Sequence, residues 1–161
     1  MPPKSALMFG RTEAGYRLRV EGRGTMPESK AAETFIDEAM TDSGQNVIID
    51  LSGAEYLDST FLGCLLGIYR KYGGRVRISA PKAVTRELFG PTMLDVALKV
   101  CEDFPPIVGS YIAIPSQAMN SRDMAWHIME CNRRLAEIPG PQQNAFAAIA
   151  RQMARELEKR A

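Results

Sequence analysis

Three consecutive polar residues, Asp58, Ser59 and Thr60, stand between an apolar segment of strand character and an apolar segment of helix character. Asp and Ser are favoured at helix starts, because their side-chain oxygens accept hydrogen bonds from unpaired backbone N–H groups. The same position suits a phosphoryl group, since the N-terminal end of a helix attracts anions. The residues therefore indicate a helix cap, and a phosphorylation site at Ser59 stays open as the alternative.

The other residues that could do chemistry are scattered along the chain. We expect His127, the single histidine, to be a partly exposed helix residue, so an enzyme with Ser59 as nucleophile lacks an evident base. Three widely spaced cysteines are typical of reduced structural thiols rather than of a disulfide framework or a zinc site. No phosphate-binding loop or nucleophile elbow is present. We predict no catalytic residue, no metal site and no cofactor; the cysteines are Cys64, Cys101 and Cys131.

The charge balance indicates no polyanionic partner. The chain carries 20 Lys and Arg against 19 Asp and Glu, so it has no overall field that attracts nucleic acid or an anionic membrane. The basic and aromatic stretch at 69–77 is better explained by solvent-facing residues of a helix and a strand. No signal-like or membrane-spanning apolar segment is evident. We expect a cytoplasmic protein without direct nucleic-acid or membrane contacts.

The hydrophobic periodicity predicts the elements that position Asp58 and Ser59. Residues 15–24 alternate as a half-buried strand, and the segment before them is a possible partner strand. Val47, Ile48 and Ile49 indicate a central strand buried on both faces. Further patterns predict helices within 26–44, 59–72 and 81–90, and strands at 75–80 and 95–103. This alternation with short links predicts an α/β domain with parallel strand pairing.

A change of character at Pro105-Pro106 divides the chain. We assign 1–105 to the α/β domain and 106–161 to a helical extension of two amphipathic helices. The first has Asn120 or Ser121 as its expected cap and an apolar stripe at Met124, Ile128, Cys131 and Leu135. The second follows a Pro-Gly-Pro break at 139–141, so the two predict a helical hairpin.

The segment VIIDLSGAEYLDSTFLGCLLGIYRKYGGRVRISA, residues 47–80, resembles the core of the STAS domain of bacterial anti-sigma factor antagonists. The family pattern is a buried strand ending in Asp or Asn, a loop, Asp-Ser-Ser/Thr and then Gly-Leu-Gly opening a helix. RVEGRG at 19–24 and VTRELFG at 84–90 are also similar to family segments. The resemblance covers about residues 6–103 and implies a STAS-type mixed β-sheet with helices packed on it.

The resemblance also implies a function. Ser59 corresponds to the serine that is phosphorylated in these antagonists, and Asp58 and Thr60 to its neighbours in the partner-binding loop. Phe61 replaces the first Gly of Gly-Leu-Gly, whereas Gly63 is retained and is expected to permit close approach of a partner or of the sheet. Such antagonists bind an anti-sigma factor that is itself a serine kinase, and a PP2C-type phosphatase resets them. The expected role is thus transcription regulation without enzymatic activity.

A second role stays open under the same resemblance. Related STAS domains serve as non-phosphorylated scaffold subunits of larger sensory or membrane transport assemblies. In that role the helices of 106–161 would provide the docking surface or a homodimer contact.

Overall fold

The computed structural model describes residues 6–41, 44–116 and 119–159. Six strands form one sheet: β1 Ala6–Arg11, β2 Gly15–Gly24, β3 Asn46–Leu57, β4 Val76–Ser79, β5 Val100–Cys101 and β6 Val108–Ile114. Six helices accompany it: α1 Met26–Thr41, α2 Ser59–Tyr72, α3 Lys82–Phe89, α4 Leu94–Ala97, α5 Ser121–Leu135 and α6 Gln143–Lys159. None of the described helices is both long enough and apolar enough to cross a membrane.

The sheet is mixed, with the strand order β5-β4-β3-β2-β1-β6. β2, β3, β4 and β5 pair in parallel, and β1 pairs antiparallel with both β2 and β6. The register aligns Leu18, Ile49 and Ile78 in one buried row across the three central strands. The predicted α/β class, the central position of β3 and its parallel pairing are confirmed.

Two segments differ from the structure that the hydrophobic periodicity predicts. β3 continues to Leu57 with register shifts against β2, so the residues before Asp58 form strand rather than a loop. The predicted strand at 95–103 is only two residues long, because Leu94 and Leu98, one helical turn apart, are both buried and α4 forms there.

Part of the predicted helical extension is strand. Residues 108–114, expected within the helical region that starts at 106, form β6 and pair with β1 at the edge of the main sheet. The helical part proper starts at Ser121, and the Asn120 side chain accepts a hydrogen bond from the Asp123 backbone N–H at 2.8 Å, as the cap prediction required.

The helical hairpin of α5 and α6 is continuous with the core of the sheet. Cys131, Leu135 and Phe146 belong to the same buried cluster as the strands and α2. A smaller cluster of Ala125, Met129 and Leu157 joins α5 to α6. α5 is therefore covered on two sides, by α2 and by α6.

Gly63 lies where α5 crosses α2. A Cβ on Gly63 would stand 2.1 Å from the Cys131 carbonyl oxygen, and one on Gly67 would stand 2.7 Å from the Arg134 guanidinium. The close approach expected at Gly63 from a partner or from the sheet is therefore made by α5 of the same chain. Small residues one turn apart let two helix backbones come this near.

Candidate functional site

Asp58 links the end of β3 to the start of α2. It lies in extended conformation as the N-cap, and its carboxylate accepts a hydrogen bond from the Phe61 backbone N–H at 2.8 Å. Burial raises the pKa of Asp58, and the backbone N–H groups of Phe61, Met26 and Thr60 offset this only in part. Asp58 thereby caps α2 and lies beside the start of α1.

Ser59 is the first residue of α2 and is half-buried, so the cap belongs to Asp58 and not to Ser59. The Asp58 carboxylate already accepts from the N–H of Phe61, and its carbonyl accepts from the N–H of Leu62. An anion at this helix start depends on free backbone N–H groups, and these two are already hydrogen-bonded. A phosphate on Ser59 would have to compete with Asp58 for them.

An acidic cleft of about 400 Å³ opens beside Ser59, between the end of β3, α3 and the start of α6. Three carboxylates line it, those of Glu55, Asp58 and Glu87, and none of its described lining residues is Lys or Arg. The remaining lining residues are Tyr56, Leu57, Leu62, Leu88, Thr92, Gln142 and Phe146. A negative group on Ser59 would thus meet negative neighbours without a cation in the cleft to neutralise it.

Thr60, Phe61 and Gly63 do not contribute surface next to Ser59. Thr60 is 3% exposed and Phe61 is 1% exposed. The Phe61 ring packs so closely on the backbone of Gly24 that a Cβ there would lie 2.9 Å from it. Two of these side chains lie in the core and α5 covers Gly63, so the partner-contact role that the family resemblance implies for the three positions stays a prediction. Phe61 fills space under the junction of β3 and α2 that carries Ser59.

His127 is buried, contrary to the expectation of a partly exposed helix residue. Its Nε2 lies 2.8 Å from the Ser29 hydroxyl, which itself donates to the Met26 carbonyl at 2.7 Å. His127 therefore donates to Ser29 and satisfies a buried hydroxyl. Among the described residues, none forms a hydrogen bond with the Ser59 hydroxyl, so a general base for a Ser59 nucleophile has no support in this geometry.

Asp50 anchors β3 from the side of the sheet opposite the helices. Its side chain is fully buried, and it accepts hydrogen bonds from the Arg17 guanidinium at 2.8 Å and from the Ser52 hydroxyl at 2.6 Å. Burial favours a raised pKa, but the hydroxyl and backbone N–H of Ser52, together with Arg17, outweigh it and leave the pKa of Asp50 lowered. The ionised carboxylate thus stabilises the strand that leads to the site.

Only Asp58 and Ser59 of the cleft were predicted as site residues from the sequence; Glu55, Glu87, Gln142 and Phe146 are among the lining residues that were not. Phe146 lies in the second helix of the predicted hairpin. Glu55 is close to Ser59 in sequence, but no local pattern places Glu87 or Gln142 beside it. Their meeting depends on how α3 and α6 pack against the end of β3.

Comparisons with known proteins agree with this architecture. A family model described as "Mlab, STAS domain" matches residues 7–99, more than half of the chain. Nine chains of solved structures match. One is the crystal structure of an anti-sigma factor antagonist from Mycobacterium paratuberculosis, with a TM-score of 0.54 and 25% identity, covering 65% of this chain and 91% of that one. No curated protein matches at a comparable level. The chain belongs to the STAS domain family.

Proposed function

We propose that this protein is an anti-sigma factor antagonist that binds an anti-sigma factor with serine-kinase activity and is released when Ser59 is phosphorylated. The observation that carries the proposal is the position of Ser59 at the start of α2, half-buried at the rim of an acidic cleft. The likeness to a solved anti-sigma factor antagonist supports the same role. In this scheme the chain contributes only the acceptor hydroxyl, and the kinase supplies ATP and the base.

The charge arrangement explains how phosphorylation would end binding. A phosphoryl group adds roughly −1.5 to −2 charges at neutral pH. In the cleft it would face Glu55, Asp58 and Glu87, while the Asp58 carboxylate occupies the nearby Phe61 N–H. The added charge is therefore directed outward, against an acidic or apolar partner surface, or it displaces the Asp58 cap. Either response changes the surface around Ser59 and leaves the buried sheet in place.

A phosphorylation assay tests this proposal. Histidine-kinase-like ATPases encoded by the same genome would be purified and incubated one by one with this chain and radiolabelled ATP, followed by peptide mapping. We expect one of them to label the wild type and Ser121→Ala, and to leave Ser59→Ala unlabelled. Ser121 is the matched control, because it is also the first residue of a capped helix. Thr60 is too buried to replace Ser59 as acceptor.

Two results would refute the proposed switch. One is equal labelling of wild type and Ser59→Ala, which would place the phosphate elsewhere. The other is no labelling of the wild type by any of these ATPases. Binding is measured in parallel: Ser59→Asp is expected to weaken the complex with the labelling kinase at least tenfold, and Ser121→Asp to leave it unchanged.

A scaffold subunit without phosphorylation is the second candidate, and an exposed aromatic side chain on the hairpin favours it. α5 uses the face with Cys131 and Leu135 inside the chain, so docking through the hairpin would depend on its outer side, where Trp126 is 55% exposed. In that role Trp126→Ala is expected to abolish partner capture or self-association, and the wild type is expected to take up no label at Ser59. A truncation near Pro105 cannot make this test, because it removes β6 and core residues of α5.

A further inference from the structure

Two cysteines from distant parts of the chain meet where α5 crosses α2. Cys64 on α2 and Cys131 on α5 are both buried free thiols, and each thiol shifts the pKa of the other. A Cβ on Gly63, the neighbour of Cys64, would lie 2.8 Å from the Cys131 Cα, so the two backbones nearly touch. A disulfide needs Cα atoms roughly 4.4–6.8 Å apart, and a helix crossing this close is compatible with that requirement.

The surroundings of the two thiols differ in a way that suits one nucleophile and one resolving thiol. Cys131 Sγ lies 3.9 Å from the His127 ring and 3.8 Å from the Arg134 guanidinium. Cys64 Sγ lies 3.4 Å from the Ser29 carbonyl oxygen and 3.8 Å from the Glu33 carboxylate. The Arg134 guanidinium and the His127 ring thus face Cys131, and oxygen acceptors surround Cys64.

These contacts shift the two thiols in opposite directions. The neighbouring Cys64 thiol, followed by His127 and Arg134, lowers the pKa of Cys131 in spite of burial. The neighbouring Cys131 thiol and burial raise the pKa of Cys64, and Glu33 adds to this. Lys30 on α1 forms an ion pair with the Glu33 carboxylate at 2.9 Å. The first thiolate of the pair therefore forms at Cys131.

A polar cleft of about 610 Å³ reaches this cluster from the surface between α1 and α5. Glu33, His127 and Arg134 line the cleft, and each of them lies within 4 Å of one of the two sulfurs. One layer of side chains therefore separates the sulfurs from an opening wide enough for a small oxidant.

We propose that Cys64 and Cys131 form an oxidisable thiol pair, in which hydrogen peroxide produces a disulfide that fastens the hairpin to α2. The Cys131 thiolate attacks one peroxide oxygen, the O–O bond breaks, and hydroxide leaves to take up a proton as water. The Cys64 thiol then attacks the Cys131 sulfenic sulfur, the S–O bond breaks, and a second water carries away the hydroxyl and the Cys64 proton. Two thiols lose two electrons and two hydrogens, and the peroxide is reduced to two waters.

The pair is independent of the proposed phosphorylation, but it acts on the same helix. Cys64 lies on α2 just over one turn beyond Ser59, and the disulfide would close a loop that includes α3, α4, β4, β5 and β6. Such a bond restricts the unfolded chain strongly because the loop is long. Oxidation is therefore expected to join the hairpin to α2 covalently until the disulfide is reduced.

Thiol mapping of the full chain tests the pair. Cys101→Ser serves as the parent, because half-buried Cys101 is another candidate for oxidation. The reduced parent is treated with hydrogen peroxide, denatured, trapped with N-ethylmaleimide and digested without reductant. We expect loss of both alkylatable thiols, a mass lower by two hydrogens, a peptide joining Cys64 to Cys131, and a higher melting temperature, all reversed by dithiothreitol.

Single-thiol variants of the parent separate the two roles. With Cys64→Ser, Cys131 is expected to stop at a sulfenic acid that dimedone traps; with Cys131→Ser, Cys64 is expected to stay alkylatable. The proposal is overturned if both thiols of the parent remain alkylatable at peroxide doses that oxidise free cysteine, or if the only disulfide formed joins two chains. If circular dichroism shows that a serine variant does not fold, the outcome with the Cys101→Ser parent is the test of the proposal.

Discussion

Replacing Gly63 with alanine is expected to force α5 away from α2. The new Cβ would stand 2.1 Å from the Cys131 carbonyl oxygen and 2.5 Å from its carbon, both backbone atoms that cannot rotate aside. Because protein interiors are close-packed, relief requires the two helices to separate by about 1 Å. Cys131 and Leu135, which are both in the core, would lose contacts in that movement.

The expected loss of stability follows from two opposing terms. Overpacking of a well-packed interface costs up to about 3 kcal/mol. Alanine in place of glycine inside a helix returns about 1 kcal/mol. The net free energy of unfolding should therefore fall by about 2 kcal/mol, which for a chain of this size lowers the melting temperature by roughly 4–8 °C.

Thermal and urea unfolding followed by circular dichroism measure this effect, and two other glycines provide controls. At Gly67 the Cβ would meet the flexible Arg134 guanidinium, so Gly67→Ala should change stability much less. At Gly74 no atom lies within 4 Å of the new Cβ, so Gly74→Ala should be close to neutral. A Gly63→Ala protein as stable as these two controls would mean that α5 does not pack on α2 at Gly63.

Two further predictions concern the carboxylates around β3. Asp58→Ala should lower the free energy of unfolding by about 1 kcal/mol through loss of the cap, whereas Asp58→Asn keeps an acceptor for the Phe61 N–H and should lose less; equal losses in urea unfolding would contradict the capping role. Asp50 has a lowered pKa in the folded state, so its stabilisation is complete above the ordinary value of 3.8 and is lost as pH falls through the lower folded value. Asp50→Asn should therefore be less stable at neutral pH and show a flatter decline between roughly pH 5 and pH 2; identical acid slopes for both proteins would contradict this.

Local patterns were sufficient to predict the elements that carry the site. Alternation in β2 and the apolar run in β3 are signals within a few residues; β2 formed where its signal placed it, and β3 formed around its apolar run and continued to Leu57. The start of α2 at Asp58 and Ser59 follows from side-chain capping, which is also local.

The features that the sequence did not predict all depend on contacts between residues that are distant in sequence. β6 contains Gly109 and an imperfect alternation, and it is a strand because β1 offers it an edge. The single apolar stripe predicted for α5 omits Ala125 and Met129, which are buried because α6 covers α5 on a second side. It also omits His127, which is buried because it bonds Ser29 of α1. The burial of Phe61 likewise depends on the open space above Gly24.

The crossing of α5 over α2 also sets a time order for folding during synthesis. A ribosome adds residues at about 5–20 per second, and domains fold as they emerge. When the segment up to β5 has left the ribosome, the face of α2 with Gly63 and Gly67 has no cover, because its partner helix ends only at Leu135. The nascent chain must therefore expose this apolar face for several seconds, the interval in which a chaperone or a second nascent chain competes with α5 for it.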